Sequence, residues 1–251
     1  MFLDLTKSLR LRSLEVNRNI CGLRSTQIVA PHVHSLRFRN THLSRTLVDA
    51  ASLTEAKLDI FFLSTALHFD ADFLQVTVFK MLEKLHNVEK LTFGGNFLQI
   101  LSLAEVLGVP FPEFKVKALT FETVIFRYVI PGIERLLQNS PDLEKLTLRV
   151  KNCNTITEEH LDKFLNSQGL NTDQRWRSKD GVLWNKSHQN VEAKHVVSLV
   201  ELVFKNTKIL DKIVLLLNER YTGSISGELV ATLSHNNKVS TSRSTDTSDG
   251  W

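Results

Sequence analysis

His32 and His34 lie two apart in PHVHS, a spacing that puts two imidazoles on one face of a strand. A zinc ion would need two more ligands. Glu158-Glu159-His160 lacks the second His of an H-E-x-x-H helix. The stretch GSISG at 223–227 has Ile225 at its centre, so it is no nucleophile elbow. There is no P-loop and no G-x-G-x-x-G, and Gly94-Gly95-Asn96 reads as a turn after a strand. Cys21 and Cys153, 132 residues apart, read as two reduced thiols. No catalytic residue, metal site or cofactor site is predicted, and the chain is expected not to be an enzyme. The chemistry left to it is recognition.

Recognition needs a scaffold, and the leucine spacing supplies one. In NSPDLEKLTLRVKNC, Leu143, Leu146 and Leu148 are spaced three and then two apart. That fits neither a helix nor strict strand alternation. It fits a strand entered from a bend, the L-x-x-L-x-L of a leucine-rich repeat. The spacing recurs at Leu11/Leu14/Val16, Val33/Leu36/Phe38, Leu53/Ala56/Leu58, Val88/Leu91/Phe93, Val116/Leu119/Phe121 and Leu210/Ile213/Leu215. The intervals are 22, 20, 35, 28, 27 and 67 residues, and four of the six fall within the 20–29 of this repeat. Asn19, Asn96 and Asn218 occupy the ninth place, where a side chain that both donates and accepts can bridge adjacent coils. They are the predicted structural Asn ladder.

The predicted fold is therefore an α/β leucine-rich-repeat solenoid, a horseshoe with a parallel concave sheet and an irregular helical or extended convex side. Helices are predicted over Asp72–Leu85, Phe97–Leu107, from Pro131, over Thr157–Leu165 and over Val191–Phe204. The first two returns, Leu23–Val29 and Leu43–Val48, read as extended. Residues 1–165 form the repeats. Residues 166–190, rich in Asn, Gln, Ser and charge, read as an inserted surface loop pinned by Trp176 and Trp184. Residues 191–240 close the chain with the strand Ile209–Leu217, a helix Glu228–Leu233 and an edge strand Lys238–Thr241. Residues 241–251 are expected to be a disordered tail.

Alternation sends the residues between the buried leucines out from the sheet. The predicted concave binding face is Ser13, Glu15, Arg37, Arg39, Lys57, Asp59, Lys90, Thr92, Thr120, Glu122, Lys145, Thr147, Arg149 and Lys212. Arg37, Arg39 and Arg149 lead it, since Arg is enriched where binding energy concentrates. The net charge is +4, but residues 1–50 hold eight Lys/Arg against three Asp/Glu. An acidic ligand or nucleic acid on this N-terminal Arg cluster is the alternative partner; without a basic-aromatic motif, nucleic acid is not expected. No apolar run approaches a membrane span, and no secretory signal opens the chain. The expected compartment is cytoplasmic or nuclear.

The phrases LRSLEVNRNICGLRSTQIVAPHVHSLRF, SLTEAKLDI, HNVEKLTFGG, SPDLEKLTL, HVVSLVELVFKNTKILDKIVLLL and ELVATLSHNNKVS resemble plant F-box/leucine-rich-repeat proteins, including those with a C-terminal FBD-type region. The resemblance covers most of the chain. It implies the substrate-recognition part of an SCF-type ubiquitin ligase, with an unknown protein target. Only ten residues precede Leu11, which leaves no room for an F-box. On this reading ligase-adaptor binding is not expected, and a truncated gene product is a further alternative.

Overall fold

The computed structural model describes residues 2–18, 26–40, 46–60, 71–150, 156–171, 176, 181–184, 192–218 and 237–244. Eleven strands and five helices follow one another along them. β1 (Phe2–Asp4), β2 (Ser13–Arg18), β3 (Thr26–Val29), β4 (Ser35–Asn40), β5 (Thr46–Asp49) and β6 (Glu55–Ile60) come first. Then α1 (Ala71–Lys84), β7 (Lys90–Gly94), α2 (Gly95–Val106), β8 (Ala118–Thr123), α3 (Ile130–Gln138) and β9 (Lys145–Val150) alternate. α4 (Glu158–Ser167), α5 (Ala193–Asn206), β10 (Lys212–Asn218) and β11 (Val239–Ser244) complete the order.

Eight strands form one all-parallel sheet in the order β11-β10-β9-β8-β7-β6-β4-β2. This is the repeat sheet that the leucine spacing predicts. β1, β3 and β5 form a second parallel sheet on the return side. The first returns are thus extended, as their β-branched residues suggest, and the later ones are helical. The helix bounds shift by one or two residues from those predicted. α4 runs to Ser167, so it takes the first residues of the predicted loop, and β11 runs to Ser244, past the predicted strand end and into the predicted tail. The predicted helix Glu228–Leu233 lies outside the described residues.

The first leucine of a repeat is explained by a turn. The amides of Leu11, Val33, Leu53, Val88 and Leu143 donate to the carbonyls of Ser8, Ala30, Ala50, Leu85 and Ser140, each three residues back. Pro31 and Pro141 stand second in two of these turns, where a fixed φ favours the bend. The turn points the first apolar side chain inward, and the strand's alternation buries the next two. Leu36, Phe38, Leu91, Phe93, Leu119, Phe121, Leu146, Leu148, Ile213 and Leu215 are all at most 3% exposed. Leu11, Leu14 and Val16 of the first repeat are only partly buried, because they pack against a coil on one side alone.

Each strand start is also tied to the coil before it. The carbonyls of Arg12, His34, Thr54, Glu89, Lys117 and Glu144 each accept two consecutive amides from the next coil, at 2.8 to 3.1 Å. On the return side, Asn96 is 2% exposed; its amide donates to the Ile60 carbonyl (2.6 Å) and its oxygen accepts the Ile156 amide (2.8 Å). Gln99 clasps the same residue, accepting from its N–H and donating to its C=O. Asn96 therefore joins coils, as a ninth-place asparagine should, though one of its partners lies beyond the neighbouring coil. Asn19 lies outside the described residues, as does the side chain of Asn218.

Trp176 and Trp184, of the segment predicted as an inserted loop, are 4% and 8% exposed. Trp176 meets Tyr128 edge-on at 4.8 Å, and its indole N–H donates to Asp162 (3.3 Å). The same carboxylate accepts from the Tyr128 hydroxyl and pairs with Arg127. Burial raises the Tyr128 phenol well above its usual range. Trp184 stacks on His195 at 6.2 Å.

Leu119→Ala and Leu146→Ala should each destabilise the fold by about 2–5 kcal/mol in urea unfolding. Leu14→Ala at the half-covered end should cost clearly less. Asn96→Ala should cost about 1–3 kcal/mol by leaving the buried Ile60 carbonyl without its partner.

Candidate functional site

The face of the sheet turned away from the helices can be read row by row from the register. The first row is Ser13, Ser35, Glu55, Lys90, Ala118, Lys145 and Lys212. The second is Glu15, Arg37, Lys57, Thr92, Thr120, Thr147, Val214 and Ser240. The third is Asn17, Arg39, Asp59, Gly94, Glu122, Arg149, Leu216 and Ser242. All fourteen predicted face residues thus belong to one continuous surface. Neighbours within a row stand about 4.8 Å apart.

Charge is organised at the centre of that surface. Glu122 is only 4% exposed. Its carboxylate is 2.9 Å from the Lys57 ammonium, which reaches it across the whole width of β7. Arg149 approaches the same carboxylate from the other side at 3.9 Å, an ion pair without a hydrogen bond. The crossing is open because β7 carries Gly94 there. A Cβ on Gly94 would lie 2.2 Å from Asp59 Oδ1, so the Asp59 side chain occupies the space that any other residue would need. Lys57, Asp59, Glu122 and Arg149 therefore form a preorganised cluster around one glycine.

Other predicted residues stay separate. Arg37 is exposed, and among the described residues it makes no ion pair. Lys90, Lys145 and Lys212 are exposed along the first row. Thr92, Thr120 and Thr147 line up in register as a half-exposed hydroxyl ladder. The guanidinium of Arg12, part of the N-terminal basic cluster, is held by the Leu9 and His32 carbonyls. Arg24 and Arg45 of that cluster lie outside the described residues.

Nine residues in these rows are absent from the predicted face: Asn17, Ser35, Glu55, Gly94, Ala118, Val214, Leu216, Ser240 and Ser242; three of them change its character. Gly94 looks like an ordinary turn glycine until the register sets it between Asp59 and Glu122. Val214 and Leu216 sit inside the apolar run IVLLL, where inward and outward positions have the same character. Their register with Thr147 and Arg149 is the signal that turns them outward.

Among the described residues no group of three or more His, Cys, Asp or Glu could hold a metal ion, and no helix is long and apolar enough to cross a membrane. His32 and His34 are not joined by a third ligand there. Cys21, Cys153 and residues 223–227 lie outside the described residues.

A putative F-box/LRR-repeat protein of Arabidopsis thaliana is 61% identical to the chain over 240 residues, 95% of this chain and 52% of that protein. A probable F-box protein of the same plant is 57% identical over 237 residues, 94% of this chain and 73% of that one. An F-box/LRR-repeat protein of the plant is 48% identical over 252 residues, 96% of this chain and 54% of that protein. The chain spans about half the length of the first and third of these relatives. No family model and no solved structure matches the chain.

Gly94→Ala should destabilise the protein by roughly 1–3 kcal/mol through overpacking against Asp59. In a double-mutant cycle, Asp59→Ala should recover most of that loss. Additive effects of the two changes, measured by thermal unfolding, would show that Gly94 does not hold the cluster open.

Proposed function

The chain belongs to the plant F-box/LRR-repeat protein family, and from that premise we propose that it is a protein-binding solenoid, the substrate-recognition part of an SCF-type ubiquitin ligase receptor. The observation that supports this most directly is the continuous polar face across the eight-stranded sheet, with its charges fixed in advance around Gly94. Preorganised side chains lose little freedom when a partner docks, which is where much of the cost of association lies. The role is non-enzymatic: the face offers shape and charge to a protein target, and adaptor docking is assigned to none of its surfaces.

An acidic ligand or nucleic acid on the N-terminal arginines is the weaker reading. Arg12 is engaged with backbone carbonyls, and Lys57, the nearest central cation, is engaged with Glu122.

The test is capture of proteins from plant extract on the tagged chain. A set of proteins should be retained by the native chain and lost on Arg37→Glu combined with Arg149→Glu, with retention surviving high salt. Binding that collapses with salt and is dominated by nucleic acid would favour the phosphate reading instead. Retention indifferent to every change on the sheet face would remove the face from the account.

A further inference from the structure

The open face is not uniform. Among its described outward positions, Val214 and Leu216 are the bulky apolar side chains, both half-exposed, and they follow one another on β10. Val214 stands beside Thr147 and Ser240, and Leu216 beside Arg149 and Ser242. One alternate position earlier on the same strand comes Lys212, directly in register with Lys145 of β9. Two ammonium groups side by side on adjacent strands destabilise a sheet. Here neither forms an ion pair among the described residues. Glu144 and Asp211 precede them, are exposed, and form no ion pair there either. The arrangement leaves two like charges uncompensated at the edge of an apolar patch.

We infer that this end of the face takes a polypeptide segment in which an aliphatic side chain is flanked by carboxylates. The aliphatic group seats on Val214 and Leu216, and a carboxylate bridges Lys145 and Lys212. This rests on the protein-binding reading above and names the chemistry of the partner. The charge relation selects an acidic segment, because one anion between the two ammoniums relieves their repulsion and gains two ion pairs. The floor selects a polypeptide over a nucleic acid. No described outward side chain on the sheet is aromatic, so bases have nothing to stack on.

The experiment is selection of a random peptide display library on the whole chain and on the Lys145→Glu/Lys212→Glu variant. Both lysines are exposed, so the variant should keep its circular dichroism and melting behaviour. The native chain should enrich peptides with Asp or Glu beside Leu, Ile or Val. The variant should lose the acidic preference, and a synthetic peptide of the enriched sequence should bind it roughly tenfold more weakly or worse. Val214→Ser/Leu216→Ser should remove the aliphatic preference and leave the acidic one. An enriched sequence without acids, or the same sequence on chain and variant, would overturn the inference. Peptides lost on Arg37→Glu but indifferent to the lysine reversal would overturn it while leaving the protein-binding reading intact. No enrichment at all, with extract proteins indifferent to both sets of changes, would remove both. Single-stranded oligonucleotide bound through the same two lysines would overturn the choice of a polypeptide.

Discussion

One carbonyl per coil, accepting two amides from the next, is the interaction on which the rest of this architecture depends. It occurs at Arg12, His34, Thr54, Glu89, Lys117 and Glu144. The pair of bonds fixes where each strand begins relative to its neighbour. Because side chains alternate along a strand, a slip of one residue would exchange the core with the open face. The same bonds that close the backbone therefore decide that Leu146 is buried and Lys145 is not. The turn before five of these strands, at Leu11, Val33, Leu53, Val88 and Leu143, turns in a third apolar side chain, so a coil brings three apolar groups to a common interior and cannot bury them without neighbours.

Most of this was legible in the chain because the constraint is local and repeated. The bend-then-strand spacing of the leucines identifies the strands, and β-branched or amphipathic returns distinguish β3 and β5 from the helices. What was not legible depends on register between coils. Gly94 acquires its meaning only when β7 is set between β6 and β8, so that Asp59 lies over it and Glu122 beside it. Val214 and Leu216 are invisible inside an apolar run, since alternation gives no contrast there. β1 was hidden for a different reason. Leu3 and Leu5 look like apolar surface left open, yet β1 pairs with β3 and those two side chains are partly buried, while Phe2 and Leu9 remain 62% exposed.

The open face combines two kinds of charge. Around Gly94 the charges are already matched, and Glu122 is so nearly buried that removing its partners would strand a carboxylate in low dielectric. Such a cluster contributes rigidity and shape. Arg37, Lys145 and Lys212 are unmatched among the described residues, and unmatched charge is what a partner can still compensate. A long polar strip of mixed sign thus divides into a scaffold and a reading surface, a division that composition alone cannot make.

The change of return structure midway along the chain has a mechanical consequence. Strands in a sheet stand about 4.8 Å apart on either face, whereas packed helices keep their axes 8–10 Å apart. Where β3 and β5 form the returns, the two sides of the solenoid advance by the same step, and that stretch is a straight slab. Where α1, α2, α3 and α5 pack against one another in succession, the back advances about twice as fast as the front, and the stretch must bend. Spacing alone therefore gathers the curvature of the face under β7 to β10, where the helices pack, and gives little to the strand-backed end. A partner reaching across the helix-backed strands meets a different curvature from one lying on β2 and β4.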